Sequence, residues 1–276
     1  MPTAESLLAD LKEDAFAWNY YQKLIKEPHV LGFLVWGSRA TGFGAPKTDW
    51  DALVYVTEEY YNQLELQDTL WWIFDESISP KRLVIDFSPV SDAWFRQQIE
   101  SPLDIDHSPY AEGITLYDET GKLEEWRRKL ARYPVEEHEN RLKNKFVQFL
   151  NAFGEARIDD ARLSLDREKF LPNRQINLYR AVLASLHLWF ALKKSWTPPL
   201  KWWSHHSLKL GMKEDEFRIF KEAIEDPSLE NVRTLIEHLK QMILDQGYDF
   251  PNDYVKAFLE TIHTKGRPKQ IRHTYL

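Results

Sequence analysis

The hydrophobic period of this 276-residue chain changes once, near Tyr133-Pro134, and that change limits the folds open to it. Before it lie short runs, "VLGFLVWG", "DWDALVYV", "RLVIDFSPV" and "GITLYD", rich in β-branched and aromatic residues and separated by helical or turn-like sequence. After it the strand signal disappears. "EEHENRLKNKFVQFLNAFGEA", "RQINLYRAVLASLHLWFALKKS", "KEDEFRIFKEAIED", "PSLENVRTLIEHLKQMILDQG" and "PNDYVKAFLETIHTK" all read as helices, several opened by proline or closed near glycine. The spacing predicts an α/β (α+β) domain with a short mixed sheet over 1–132, followed by an all-α helical bundle over 133–276.

Within the first part, Leu7, Leu8, Leu11, Ala15, Trp18 and Leu24 predict one amphipathic helix over 4–27, ended near Pro28. Thr57 is placed to cap a helix reaching about Phe74, and Ser91 another reaching about Ile99. The final "TKGRPKQIRHTYL" holds four basic residues and no acid, and reads as a solvated tail.

Composition narrows the function classes. With 43% hydrophobic and 29% charged residues the chain belongs with globular proteins, and the absence of cysteine excludes disulfides, thiolate zinc sites and cysteine nucleophiles. "MPTAESLLADLKEDAF" lacks the pattern of a secretion signal and no apolar run reaches the length of a membrane span, so a cytoplasmic protein with no membrane partner is expected. Residues 1–132 carry 13 Lys+Arg against 23 Asp+Glu, whereas 133–276 carry 23 against 20. The acidic first part disfavours a phosphate-backbone binder there unless metal ions mediate; the second leaves a nucleic-acid contact open. The oligomeric state has no signature in the sequence.

The chemistry concentrates in "FLVWGSRATGFGAPKTDWDALVYV", Phe33 to Val56. Aspartate is depleted in strands, yet Asp49 and Asp51 open one, and alternation predicts both carboxylates on one face with Cα atoms about 6–7 Å apart. Alone, such a pair would be a turn residue and an edge-strand charge. Asp86, inside the apolar "LVIDF", adds a third acid that needs a strong reason. Gly37-Ser38 ends the preceding strand, where a short helix from Ser38 would aim backbone N–H groups at an anion. His205 and His206 are adjacent, lack the spacing of a helical zinc pair, and read as structural.

A hydrophobic residue, G-S, a gap of ten, D-hydrophobic-D and a later Asp together resemble the nucleotidyltransferase superfamily of the DNA polymerase β type, in particular its small-molecule branch of aminoglycoside and lincosamide nucleotidyltransferases. The resemblance covers residues 30–90 closely. It implies that Asp49, Asp51 and Asp86 are catalytic and hold two Mg²⁺ ions, that Gly37 and Ser38 grip the triphosphate, and that Arg39 and Lys47 touch it. It implies transfer of a nucleoside monophosphate, AMP from ATP or another nucleoside triphosphate, to a hydroxyl of a small molecule such as an aminoglycoside-like antibiotic, with release of pyrophosphate. Asp86 or a carboxylate of the helical domain would take the proton, and the acceptor would bind between catalytic and helical domains. The alternatives are a nucleic acid or protein acceptor, hinted at by the basic tail, and a catalytically silent nucleotide-binding module, disfavoured because all three acids are present.

Overall fold

Residues 4–27 carry one apolar stripe but form two helices, α1 (Ala4–Glu13) and α2 (Ala15–Leu24), in a computed structural model that describes residues 2–42, 48–66, 71–75 and 82–248. The single helix expected there is broken at Asp14, whose backbone leaves the helical region at φ −87°, ψ 86°. Its carboxylate instead accepts the Ala17 N–H at 3.1 Å, capping α2. An aspartate in a helical pattern can continue the helix or cap a new one, and here the cap wins.

The chain continues through β1 (Val30–Trp36), α3 (Gly37–Thr41), β2 (Trp50–Val56), α4 (Glu58–Leu66), β3 (Trp71–Asp75) and β4 (Arg82–Val90). It then forms α5 (Asp92–Glu100), α6 (Ser108–Ala111), β5 (Ile114–Asp118) and α7 (Lys122–Ala131). Ser91 caps α5 as expected, its hydroxyl accepting the Trp94 N–H at 3.4 Å. Thr57 caps α4 through Tyr60 N–H at 3.4 Å, but that helix ends at Leu66 rather than near Phe74. Residues 71–75 are instead a fifth strand paired antiparallel with β4. The run "WWIFD" has no helical period of its own, so the available partner strand decides its conformation.

The five strands form one mixed sheet in the order β3-β4-β2-β1-β5. β2 and β4 run parallel, while β1 pairs antiparallel with both β2 and β5. Each face is apolar for a traceable reason. Phe33 and Val35 of β1, Trp50, Ala52, Val54 and Val56 of β2, and Ile85 and Phe87 of β4 pack with Leu7 and Leu11 of α1 and Ala17 and Tyr21 of α2. Leu34, Leu53, Tyr55 and Val90 point the other way, onto Phe95 of α5 and Leu123 and Leu130 of α7. Period-2 alternation thus covers the sheet with helices on both faces.

One polar knot ties the second face together. Asp92 accepts from the Tyr55 hydroxyl at 2.6 Å and the Trp126 indole at 2.9 Å, with Lys122 Nζ 3.5 Å away. Burial opposes ionisation of Asp92, but those two hydrogen bonds and Lys122 outweigh it and hold its carboxyl below the ordinary 3.8. The unfolded state therefore binds the proton more tightly, so this contribution is full above 3.8 and is lost as pH falls through the lowered folded value. Asp92→Ala is expected to cost about 1–3 kcal/mol at neutral pH by stranding the buried Tyr55 hydroxyl and the half-buried Trp126 indole, and to flatten the acid limb of stability. Urea unfolding across pH checks both effects.

The chain divides into two compact units, Met1–Tyr133 and Pro134–Leu276. The second is helical throughout its described residues: α8 (His138–Arg162), α9 (Arg167–Leu192), α10 (Trp203–Lys209), α11 (Glu214–Glu225) and α12 (Leu229–Asp245). Helix α9 starts well before Arg174 because Asp166 caps it at Lys169 N–H, 3.1 Å, and Pro172 lies inside it. Its core gathers Phe146, Phe149, Leu178, Trp189, Phe190, Phe220, Leu235 and Leu239. Polar links between α8 and α9 include Asn177 donating to Asp159 at 3.0 Å and Arg174 to Asp160 at 2.7 Å. The helix expected over "PNDYVKAFLETIHTK" and the basic tail lie outside the described residues. Among those residues no helix is long and apolar enough to cross a membrane.

Candidate active site

Parallel pairing of β2 with β4 sets Asp51 directly beside Asp86. Paired residues on neighbouring strands share a face and lie about 4.8 Å apart along the hydrogen-bonding direction, so the two side chains leave the sheet together. On the other side of Asp51 the partner is Trp36 of β1. A row Trp36–Asp51–Asp86 therefore crosses three strands at the edge of the face built on Leu34, Leu53, Tyr55 and Val90. Both carboxylates are half-buried.

Asp49 and Asp51 stand on either side of the first residue of β2. β2 starts at Trp50, and Thr48 and Asp49 precede it without regular structure. The pairing sets the carboxylate of Asp86, 35 residues on, beside that of Asp51, while Asp49 stands just before the strand. Among the described residues no group of three or more Asp, Glu or His side chains is gathered closely enough to hold a metal ion. Two adjacent carboxylates nevertheless suit one particular ion. Magnesium is commonly held by one or two carboxylates, with water and substrate phosphate completing its shell, rather than by an all-protein cage. The hard-oxygen donors and the like-charge repulsion between Asp51 and Asp86 fit that pattern.

Gly37 explains how Asp51 is accommodated. Its φ is +75°, and a Cβ built on it would lie 2.1 Å from Asp51 Oδ2 and 2.9 Å from Cγ. Only a residue without a side chain leaves this space for the carboxylate while adopting a left-handed backbone. Ser38 follows in α3, which closes at Gly42 with φ +80°. The Thr41 hydroxyl lies 3.1 Å from the carbonyl oxygens of both Gly37 and Ser38, tightening the turn. A five-residue helix brings backbone N–H groups but little macrodipole, so the anion-attracting field expected at Ser38 is small.

Arg39 points back from α3 to the entrance of β2. Its Nε donates to the Asp49 carbonyl at 3.1 Å and its Nη2 to the Thr48 carbonyl at 2.6 Å, while the guanidinium lies 3.9 Å from the Trp50 ring centroid. Lys47 lies outside the described residues.

The structure adds an aromatic flank that the sequence reading did not single out. Tyr110 of α6 meets Trp36 edge to face at 5.3 Å and Trp94 at 5.6 Å. Burial first, then Asp106 and Asp86, push the Tyr110 hydroxyl up to about 12, so it remains a protonated donor at neutral pH near Asp86. Trp36 stands immediately before Gly37 in the sequence, a signal that was available. Tyr110 is 24 residues beyond Asp86 with no local pattern to mark it, and only the fold brings it near.

No protein-family model and no curated protein sequence matches the chain. Among solved structures it is similar to a nucleotidyltransferase-like protein from Exiguobacterium sibiricum at 13% sequence identity, over 93% of this chain and 81% of that one, with a TM-score of 0.44.

Proposed function

We propose that the protein is a Mg²⁺-dependent nucleotidyltransferase that moves a nucleoside monophosphate, AMP from ATP as the first candidate, to a hydroxyl of a small molecule. The supporting observation is the in-register pairing of Asp51 with Asp86, with Gly37 shaped around the Asp51 carboxylate. In this reading Asp51 and Asp86 hold the metal and Asp49 adds a ligand once nucleotide is present. Magnesium, when bound, neutralises the triphosphate oxygens and lowers the pKa of the acceptor hydroxyl. The acceptor oxygen bonds to the α-phosphorus, the bond from that phosphorus to the bridging oxygen breaks, and pyrophosphate leaves. Asp86 takes the hydroxyl proton, and backbone N–H groups at Gly37 and Ser38 steady the departing phosphates. The excess of 23 acids over 13 bases in residues 1–132 favours a neutral or cationic acceptor, including an aminoglycoside-like one, over a nucleic acid.

The test is incubation of the full chain with Mg²⁺, each nucleoside triphosphate and pools of hydroxylated small molecules, with aminoglycosides in one pool and tRNA or protein in others. Pyrophosphate release with a nucleoside-monophosphate mass gain on a small-molecule acceptor is the expected result. Failure to bind any Mg²⁺-nucleotide overturns the reading, and mass gain on tRNA or protein alone overturns the choice of acceptor.

A further inference from the structure

We propose that Arg39 is a positioning residue for Asp49 rather than a ligand of the triphosphate; this rests on the nucleotidyl-transfer reading above. The two carbonyls it grips belong to the peptide planes on either side of the Asp49 Cα, those of Thr48 and Asp49. Each peptide unit is planar, so fixing both planes fixes the backbone dihedrals between them and hence the direction in which Asp49 Cβ leaves the chain. No strand ladder does this for Asp49. The pairing of β1 with β2 reaches only to Trp36↔Asp51, and that of β2 with β4 begins at Trp50↔Ile85.

Arg39 is itself held. Its guanidinium stacks on Trp50, which is fully buried, and the Trp50 indole donates to Asp14 Oδ2 at 3.2 Å. The other Asp14 oxygen caps α2 through Ala17 N–H. A chain of contacts thus runs from the break between α1 and α2, through Trp50, to the peptide planes around Asp49. The Nε and Nη2 edge, the side-on fork with which arginine can take a phosphate in bidentate fashion, is already engaged on backbone oxygens. Lysine offers one point charge and no planar fork. It could replace a phosphate contact in part, but not this grip on two planes.

The two roles separate in kinetics and in metal binding. Arg39→Lys and Arg39→Gln are compared with wild type in kcat, in KM for Mg²⁺-ATP and in Mn²⁺-ATP affinity measured by electron paramagnetic resonance, with thermal unfolding as the check on folding. A positioning role lowers kcat by about 10- to 100-fold in both variants. It also leaves KM and Mn²⁺-ATP affinity within about 3-fold and gives no rescue by lysine. A rise of more than about 10-fold in KM at unchanged kcat, relieved in Arg39→Lys, assigns Arg39 to phosphate and overturns the proposal. So does a wild type that is active while both variants match it. A wild type that neither binds Mn²⁺-ATP nor turns over removes the nucleotidyl-transfer reading and the proposal together.

Discussion

Asp51→Asn is expected to reduce nucleotidyl transfer by at least about 10²–10³-fold, the range seen when one preorganised electrostatic contact is removed from an active site. Its effect on stability has the opposite character. Asp51 and Asp86 are directly paired on parallel strands, and like charges set opposite one another destabilise a sheet. Without divalent cations the asparagine variant should therefore be at least as stable as wild type. Added Mg²⁺ reverses the order. A ligand at ten times its Kd stabilises the folded state by about 1.4 kcal/mol, a gain open to wild type and closed to the variant. Thermal unfolding with and without Mg²⁺ reads the difference directly, and a variant that keeps the full Mg²⁺ response would remove Asp51 from the metal site.

Gly37→Ala should be nearly as damaging to transfer, and unlike Asp51→Asn it should also destabilise the protein. The left-handed backbone at φ +75° costs alanine about 1–2 kcal/mol relative to glycine. The new methyl would also stand 2.1 Å from Asp51 Oδ2 and 3.1 Å from its Cβ, so the carboxylate must leave its place beside Asp86. A double-mutant cycle divides the two effects. In an Asp51→Ala background the clash is gone and only the backbone cost should remain, so the stability losses should be less than additive. Full additivity, measured by denaturant unfolding, would show that Gly37 and Asp51 do not compete for the same space.

Much of the sheet was legible in the sequence because its signals are local. β-branched runs placed β1, β2, β4 and β5, while Thr57 and Ser91 announced the caps of α4 and α5. The acids of the site were equally visible, since an aspartate inside "LVIDF" conflicts with its surroundings. Their arrangement was not. That Asp86 lies beside Asp51 depends on which strand pairs with β2, and the intervening β3 pairs on the far side of β4. Alternation alone carries β2 back through Asp49, whereas in the structure the carbonyls just before Trp50 are bonded to Arg39. The same competition between side chain and backbone split the expected first helix at Asp14. Trp71–Asp75 was lost for another reason: an unbroken apolar run has no period to read, and its strand character comes from β4.

The place of β2 at the middle of the sheet gives the two halves of the DWD sequence different kinetic lives. Asp51 sits on a strand bonded to neighbours on both sides, so it is released only when the sheet as a whole comes apart. Asp49 stands one residue beyond that ladder and is held instead by the Arg39 side chain, so it opens when that grip is released while the sheet stays closed. One carboxylate of the motif is thus tied to global unfolding and the other to local fluctuation.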